Sequence, residues 1–443
     1  MSNSSNEKTM LFTGIDPGNI TTKISFLNNS GNPESFNIPT VISDAPATAV
    51  NYNSEFDKSN SKLVEDYIHI RVQSDALGKD QSNKTFYVGE IAKNSSEKEQ
   101  PKMLENGNSE DKFTDSNSKV FILPVLAGMA IAAIKNGQRN VIAPLSTGMP
   151  SKSYLKHEQS LKQRFIGKHI ITFIDGPYVN QEVQIDILPN QAQIHAESVT
   201  TAIALKYDVK DFNIVETQLK ETLNDKTYAI ADLGAGTSDY AVFNVDGLDK
   251  VMTRIFAEGN SSKLSRVATN GYIDRIIDAV YNDASFASQR AIIERIGDES
   301  RKPSELTSRE IFMKKIIKPV VDNVLALQKQ DPNVQIEDVL KFQFTWTSAK
   351  NIDITDHVTN EMKAYAEEQL LNVELAWISA NTDYILVVGG GLLFGYFGGL
   401  DKLKEKGVLI PNLLDSQYFN SKAYLIINYL TNMPSIQEVA SDN

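Results

Sequence analysis

The sequence predicts an α/β protein built from two related domains. Apolar strand-like segments alternate with helix-like segments over residues 120–226, which is typical of layered α/β domains. A glycine-rich strand–turn–strand pattern occurs twice, once near the start of each half of the 443-residue chain. The hydrophobic content of 41% is ordinary for a globular protein and supplies enough apolar side chains for two cores.

The predicted domain boundaries follow from this pattern. Domain I covers residues 10–226, with a smaller, loop-rich subdomain inserted at about 38–114. Domain II covers residues 227–411, with a helical subdomain inserted at about 260–345. The final segment, 412–443, is expected to pack back on domain I.

Composition argues against several classes of protein. The net charge of -12 disfavours direct binding to nucleic acid, because an acidic chain repels phosphate backbones. The absence of cysteine excludes disulfides and zinc–thiolate sites and is compatible with a cytoplasmic location. The longest apolar run, 120–134, is interrupted by Pro124 and Gly128 and is shorter than the ~20 residues of a membrane span, so it predicts a buried helix. The five histidines are isolated from one another and lack metal-ligand spacing.

An internal repeat carries the functional prediction. The stretch "GIDPGNITTKISFLN" (14–28) aligns with "IADLGAGTSDYAVFN" (230–244). Both copies read apolar–Asp–x–Gly–x–x–Thr–Ser/Thr, and two unrelated hairpin turns are the alternative interpretation. The aligned pairs are Asp16 with Asp232, Gly18 with Gly234, Thr21 with Thr237 and Thr22 with Ser238.

The repeated motif suits the phosphate tail of a nucleotide. Glycine has no Cβ, so backbone N–H groups can approach phosphate oxygens closely, and hydroxyl groups add donors. An acid at this position would repel bare phosphate, so Asp16 and Asp232 are expected to hold the water shell of one Mg²⁺. Lys23 can reach a phosphate as a point charge. The predicted phosphate-binding residues are Asp16, Gly18, Asn19, Thr21, Thr22 and Lys23 in the first copy and Asp232, Gly234, Ala235, Gly236 and Thr237 in the second.

These residues resemble the superfamily of actin, DnaK-type chaperones and sugar kinases. The two copies are similar to its first and second phosphate motifs, and "ILVVGGGLLF" (385–394) is similar to its adenosine motif. The resemblance implies an actin-like fold, in which two related α/β domains surround a nucleotide cleft. It also implies that the nucleoside lies against the backbone of Gly389, Gly390, Gly391 and Leu392.

Further segments resemble the bacterial actin-like plasmid-segregation proteins, the ParM-like group. The similar segments are "FYVGEIA" (86–92), the stretch beginning "LSTGMPSKSY" at 145, and "FNSKAYLI" (419–426). This resemblance implies an ATPase that polymerises with ATP and Mg²⁺, disassembles after hydrolysis, and moves plasmid DNA. The choice between ATP and GTP as the bound nucleotide stays open. The implied partners are other copies of the chain and a ParR-like, DNA-binding adaptor on a centromere-like site, with no direct contact to nucleic acid or membrane.

The resemblance also nominates a catalytic residue and two ribose contacts. "IHAESVTTAIAL" (194–205) is similar to the segment in which an acid or glutamine positions the attacking water, which points to Glu197. The alternative is a solvated acid at the start of a helix predicted near 195–206. "ATNGYIDRI" (268–276) is similar to the helix that contacts ribose and nominates Asn270 and Asp274, although Asp274 could equally be a surface residue.

Two other functions on the same fold are weighed against this one. A monomeric small-molecule kinase would need a catalytic Asp and a substrate pocket, and we find no sugar-kinase signature. A chaperone-like module is disfavoured, because the chain after Gly391 is too short for a separate substrate domain.

Overall fold

The structure is a computed structural model that describes residues 8–49, 64–95, 97–101, 118–149, 151–197, 200–258, 267–298, 301–331, 333–413 and 415–433. The chain divides into two compact units. Unit 1 comprises the residues up to Asn224 together with those from Tyr418 onward, and unit 2 runs from Asp225 to Gln417. Parts of the predicted ranges 38–114, 260–345 and 412–443 lie outside the described residues.

Strands and helices alternate along much of the chain. The strands are β1 (Thr9–Met10), β2 (Thr13–Pro17), β3 (Thr21–Leu27), β4 (Pro33–Pro39), β5 (Ile42–Asp44), β6 (Ile68–Ser74), β7 (Lys84–Val88), β8 (Asn140–Ile142), β9 (Leu145–Met149), β10 (Gly167–Asp175), β11 (Glu182–Ile187), β12 (Ala192–Ala196), β13 (Tyr207–Lys210), β14 (Asn213–Glu216), β15 (Tyr228–Leu233), β16 (Ser238–Asn244), β17 (Gly247–Leu248), β18 (Gln343–Trp346), β19 (Ala349–Asp353) and β20 (Tyr384–Val388). The helices are α1 (Ser118–Lys135), α2 (Ser151–Phe165), α3 (Thr201–Lys206), α4 (Gln218–Leu223), α5 (Lys250–Glu258), α6 (Asn270–Asn282), α7 (Ala287–Ile296), α8 (Arg309–Phe312), α9 (Lys318–Gln330), α10 (Ile336–Val339), α11 (Thr355–Ala380), α12 (Gly390–Tyr396) and α13 (Phe419–Asn432).

Unit 1 contains two large sheets among its described residues. The seven-stranded sheet has the order β1-β8-β11-β10-β6-β7-β5, and the five-stranded sheet has the order β12-β9-β2-β3-β4. Strands β5, β6 and β7 come from the stretch 38–114, and they join the same sheet as β10 and β11. The inserted stretch 38–114 therefore contributes strands to the seven-stranded sheet of unit 1.

Helix α1 lies between these two sheets and is apolar on every side. It contacts β2 and β3 in one sheet and β10 and β11 in the other. Every residue from Val120 to Ile134 is buried, as expected for a helix covered all round. Gly128 permits a close approach, because a Cβ there would lie 2.7 Å from the side chain of Ile24. The helix is long and apolar enough to cross a membrane, yet 89% of it is buried inside the structure. The predicted buried helix is confirmed.

Unit 2 is built on a four-stranded sheet with the order β17-β16-β15-β20. Strand β15 runs antiparallel to β16 and parallel to β20. Alternate residues of these strands, including Tyr240, Val242 and Val387, share one core with residues of helices α5, α6, α11 and α12. The helices α6 to α10 fall within the stretch 260–345 that the sequence predicted to be helical.

Two predicted helices are shorter than expected. The sequence pattern also predicts a helix near 211–224, but β13 and β14 form a hairpin and only α4 is helical there. Tertiary contacts explain this, because Phe212 has a positive φ of 60°, its N–H bonds to Gly31 O, and its carbonyl accepts from Tyr429 Oη. The helix expected near 195–206 begins as strand β12, paired with β9, and α3 covers only its second half.

Candidate functional site

The first repeat folds as a tight turn between β2 and β3. Asp16 and Lys23 lie opposite each other in the antiparallel register. The N–H of Gly18 donates to Asp16 O at 3.1 Å. A Cβ on Gly18 would lie only 2.6 Å from Thr21 O, so the turn requires glycine at this position.

The second repeat also forms a tight turn, between β15 and β16, although its glycine N–H has a different acceptor. Asp232 lies opposite Asp239, and Gly234 N donates to Thr237 O at 2.8 Å. A Cβ on Gly234 would lie 2.4 Å from that same carbonyl. In both copies, therefore, a glycine sits against the carbonyl of the threonine three residues later. The repeat in the sequence therefore corresponds to a repeated close contact between glycine and threonine.

The two turns differ in their charges. In the first, Lys23 Nζ donates to Asp16 Oδ2 at 2.8 Å, and the Asp16 carboxylate is almost fully buried. In the second, Asp239 takes the place of the lysine, and Thr237 Oγ1 donates to it at 2.9 Å. Asp239 is half-buried by surface area, yet its surroundings desolvate the carboxyl and raise its pKa. The second turn thus carries two acids and the first an internal ion pair.

Thr22 supports the first turn from inside. Its hydroxyl lies 3.1 Å from that of Thr40, which in turn donates to Gly18 O at 2.9 Å. Both threonines are buried. Asn19 and Thr21 are half-buried on the turn itself. Sequence reasoning missed Thr40, because it follows β4 and carries no motif of its own.

Glu197 emerges at the same sheet edge as the first turn. Strands β2, β9 and β12 are neighbours and run parallel, so their carboxyl ends share one edge. Glu197 directly follows β12, and its N–H donates to Met149 O at 2.9 Å. With neighbouring strands about 4.8 Å apart, the Glu197 backbone lies roughly 10 Å from the end of β2. Ligands of open α/β sheets bind at such an edge. Glu197 is half-buried and follows a strand, not the start of a helix.

Helix α13 packs directly against the strands that lead to this edge. A Cβ on Gly14 would lie 2.1 Å from Ser421 O, and one on Gly148 would lie 1.8 Å from Tyr424 Oη. The buried Asn428 donates through Nδ2 to the carbonyls of Thr13 and Pro144, each at 2.6 Å. The role of Asn428 has no counterpart among the sequence-based predictions.

The glycines after β20 lie beside the second turn. Gly389 has a φ of +98°, and a Cβ there would lie 2.4 Å from Asp232 Oδ1. A Cβ on Gly391 would lie 2.4 Å from Tyr365 Oη. Gly390, in contrast, is exposed and has only Gln417 Cβ nearby, at 3.9 Å. The neighbouring side chain of Leu392 is fully buried, so only its backbone can face a ligand.

Of the two predicted ribose contacts, the structure brings one to the turn. The N–H of Asn270, at the start of α6, donates to Ala235 O at 3.1 Å. The carboxylate of Asp274, one helical turn later, is held by Arg309 in a two-point ion pair with both distances 2.5 Å. Asp274 is therefore engaged with α8 in this structure.

The donor set at the turns suits a hydrated magnesium ion. Within the described ranges, no three His, Cys, Asp or Glu side chains come together to hold a metal. Mg²⁺ keeps several waters and needs only one or two carboxylates besides phosphate oxygens, unlike zinc or calcium. Each turn, taken by itself, has such an acid: Asp16 in the first turn, and Asp232, beside Gly389, and Asp239 in the second.

Comparison with known proteins assigns the family. The model for "Actin like proteins N terminal domain" matches residues 14–199, which include the first turn and Glu197. The structure of Bacillus thuringiensis ParM in apo form is 33% identical to this chain, with 98% of each chain covered and a TM-score of 0.67. The chain belongs to the ParM family of actin-like proteins.

Other solved structures show how far this likeness extends. Bacillus thuringiensis ParM with ATP is 32% identical, covers 96% of this chain and 100% of its own, and gives a TM-score of 0.72. The actin-like protein Alp7A is 13% identical, covers 97% of this chain and 98% of its own, and at a TM-score of 0.57 supports the fold alone. A search of curated proteins gave no match. The predicted actin-like fold is confirmed.

Proposed function

We propose that this protein is an ATP-hydrolysing, filament-forming member of the ParM family that segregates plasmid DNA. The observation that carries the proposal is the pair of turns in which Gly18 and Gly234 each lie against the carbonyl of the threonine three residues later. They occur in a chain that is 32% identical to ParM with ATP over 96% of its length. The same relative is also known with AMPPNP and with ADP.

In this proposal the two turns bind the phosphates of one nucleotide. Backbone N–H groups of residues 19–21 and 235–237 donate to phosphate oxygens, and the hydroxyl of Thr21 adds a donor. Lys23, already fixed at the turn by Asp16, is the cation available to a phosphate there. Mg²⁺, when bound, would neutralise phosphate charge, and Asp16 and Asp232 would hold its waters.

Glu197 is the proposed group that orients the attacking water. Its position at the carboxyl edge shared with β2 supports this role, since the γ-phosphate would lie beyond that edge. A carboxylate there accepts a hydrogen bond from water and aligns it for in-line attack. The exposed Gly390 is the proposed contact to the nucleoside, and Asn270, whose side chain is buried, supports the second turn through its backbone.

The proposed partners follow from the family and from the charge. Copies of the chain would associate head to tail, a heterologous contact that does not close and so produces filaments. With a net charge of -12, the filament itself is unsuited to DNA, so a DNA-binding, ParR-like adaptor would link it to a centromere-like site in the cytoplasm.

Sedimentation tests the proposal. Purified protein is centrifuged with ATP and Mg²⁺, with GTP and Mg²⁺, with ADP, and without nucleotide. We expect polymer in the pellet with ATP and Mg²⁺, and a return to the supernatant as phosphate is released. Protein that stays in the supernatant with every nucleotide, across a range of salt concentrations, contradicts filament formation.

A further inference from the structure

Four buried side chains of unit 2 have polar atoms without a hydrogen-bond partner among the described residues. We call them the buried polar cluster: Tyr240, Asn270, Tyr365 and Gln369. The atoms are Tyr240 Oη, Tyr365 Oη, Gln369 Oε1 and both amide atoms of Asn270. All four residues are more than nine-tenths buried. A buried polar atom without a hydrogen bond destabilises the folded state, so such atoms usually have a partner.

Three elements bring this cluster together. Tyr365 and Gln369 are one turn apart on the buried face of α11. Gln369 Nε2 donates to Val267 O at 2.8 Å, and Ser238 Oγ donates to the same carbonyl at 2.5 Å. Tyr240 follows Ser238 by two residues, on the same face of β16. Helix α11 and strand β16 therefore meet at the segment that leads into α6 at Asn270.

The hydroxyl of Tyr365 reaches the point where the predicted nucleotide segments converge. Its ring lies along α12, where a Cβ on Gly395 would be 2.8 Å from Tyr365 Cδ1. A Cβ on Gly391 would be 2.4 Å from Tyr365 Oη, 2.8 Å from Leu233 O and 3.1 Å from Thr269 Cγ2. The glycine segment, the end of β15 and the start of α6 thus surround this hydroxyl.

The cluster has the chemistry of a water site. Burial, together with the neighbouring Tyr240, Tyr272 and Asp232, raises the pKa of Tyr365 well above its ordinary value. The hydroxyl therefore stays neutral and can both donate and accept. The Asn270 amide offers donors and an acceptor, and Gln369 Oε1 offers an acceptor. A buried water makes about three hydrogen bonds to groups of this kind.

We propose that the buried polar cluster binds internal water and that Tyr365 acts through it as a positioning residue for the nucleotide segments. Water between Tyr365 and Asn270 ties the start of α6 to the segment Gly389–Gly391. Since Asn270 N holds Ala235 O and Gly389 contacts Asp232, this link sets the geometry of the second turn. The positioning role rests on the proposed function, whereas the water site does not.

A high-resolution crystal structure of the full chain tests the water site. We expect ordered water within hydrogen-bond distance of Tyr365 Oη and of the Asn270 amide, with or without nucleotide. A dry cluster, in which these atoms pair with other protein groups, overturns the proposal.

Tyr365→Phe tests the positioning role, with Tyr228→Phe as the matched control. Tyr228 is also buried but lies at the opposite end of β15 from Asp232. We expect Tyr365→Phe to keep the wild-type Tm or raise it, since the lost hydroxyl has no protein partner, and to weaken ATP binding about tenfold, the value of one net hydrogen bond. The control should bind ATP like the wild type.

Two results overturn the positioning role. One is a Tyr365→Phe protein that binds ATP as tightly as the wild type. The other is a parallel fall of Tm and affinity, which marks a purely structural residue. Ordered water in a wild-type protein that binds no nucleotide refutes the proposed function and the positioning role, and leaves the water site standing.

Discussion

At the residue scale, the first two of the three consecutive glycines after β20 differ in how much room they leave for a side chain. Gly389 has a left-handed backbone and no room beside Asp232, whereas Gly390 faces open space. We expect Gly389→Ala to lower the free energy of unfolding by about 2–4 kcal/mol through strain and a clash. Gly390→Ala should lower the free energy of unfolding by well under half of that amount, and its main effect should be on nucleotide affinity. Urea denaturation and ATP titration separate the two, and equal destabilisation would contradict this assignment.

Glu197 is the second residue-scale prediction. Glu197→Ala should lower the rate of phosphate release by at least about tenfold and leave ATP affinity and assembly near the wild-type level. The control is Glu221→Ala, which removes an exposed acid from α4 of the same unit. Phosphate release at the wild-type rate would remove Glu197 from its proposed role.

Because of His195, we expect the free energy of unfolding to fall in acid. It stacks on Tyr424 and contacts Ser146 Oγ at 3.0 Å, and burial lowers its pKa to about 4. The unfolded chain takes up a proton near the ordinary pKa of 6.5, while the folded chain does not, so stability falls as the pH drops from 6.5 towards 4. This contribution is about 2 kcal/mol between pH 7 and pH 5.

The check on His195 is a comparison with His195→Gln. Urea denaturation at both pH values should show a smaller acid-induced loss in the variant than in the wild type. The buried His69 and His169, whose pKa values burial also lowers, stay in both proteins. An identical loss in the two proteins would contradict the prediction.

Single residues also show where sequence reasoning stops. Gly18 and Gly234 could be predicted, because a tight turn has a local signal and the repeat doubled it. Thr40 could not, because its role depends on a contact with Gly18, which lies far away in the sequence. The hydroxyl of Thr40 supports the first turn, yet no sequence motif distinguishes this threonine from others.

At the element scale, helix α13 ties the end of the chain to the strands of the first turn. Asn428→Ala would leave the buried carbonyls of Thr13 and Pro144 without their donor. We expect a loss of about 2–3 kcal/mol in the free energy of unfolding. The exposed α13 position Leu430 provides the control, since Leu430→Ala should change stability by less than about 0.5 kcal/mol. Comparable losses in the two variants would contradict the role of Asn428.

Elements with a strong local pattern were predictable and others were not. The strands around both turns, α1 and α11 each have a clear apolar pattern, and the structure contains them. The hairpin β13–β14 looked helical, because its turn is stabilised by Gly31 and Tyr429, which lie far away in the sequence. Strand β12 was not predicted for the same reason, because it is stabilised by hydrogen bonds to β9, which lies far away in the sequence.

At the scale of the whole molecule, the internal repeat was the informative signal. It predicted two related units, and each unit presents the same glycine turn at the end of a strand. The joining of β5, β6 and β7 to the large sheet of unit 1 could not be predicted, because strand partners across long separations leave no pattern in one sequence.

The central claim is that the two turns serve one nucleotide, and calorimetric titration with ATP and Mg²⁺ tests it most directly. We expect one ATP per chain and a loss of Mg²⁺-dependent affinity of at least about tenfold in Asp16→Asn and, separately, in Asp232→Asn. The control Asp401→Asn, at an exposed position of unit 2, should bind like the wild type. Two ATP molecules per chain, or wild-type affinity in either turn variant, would contradict the claim.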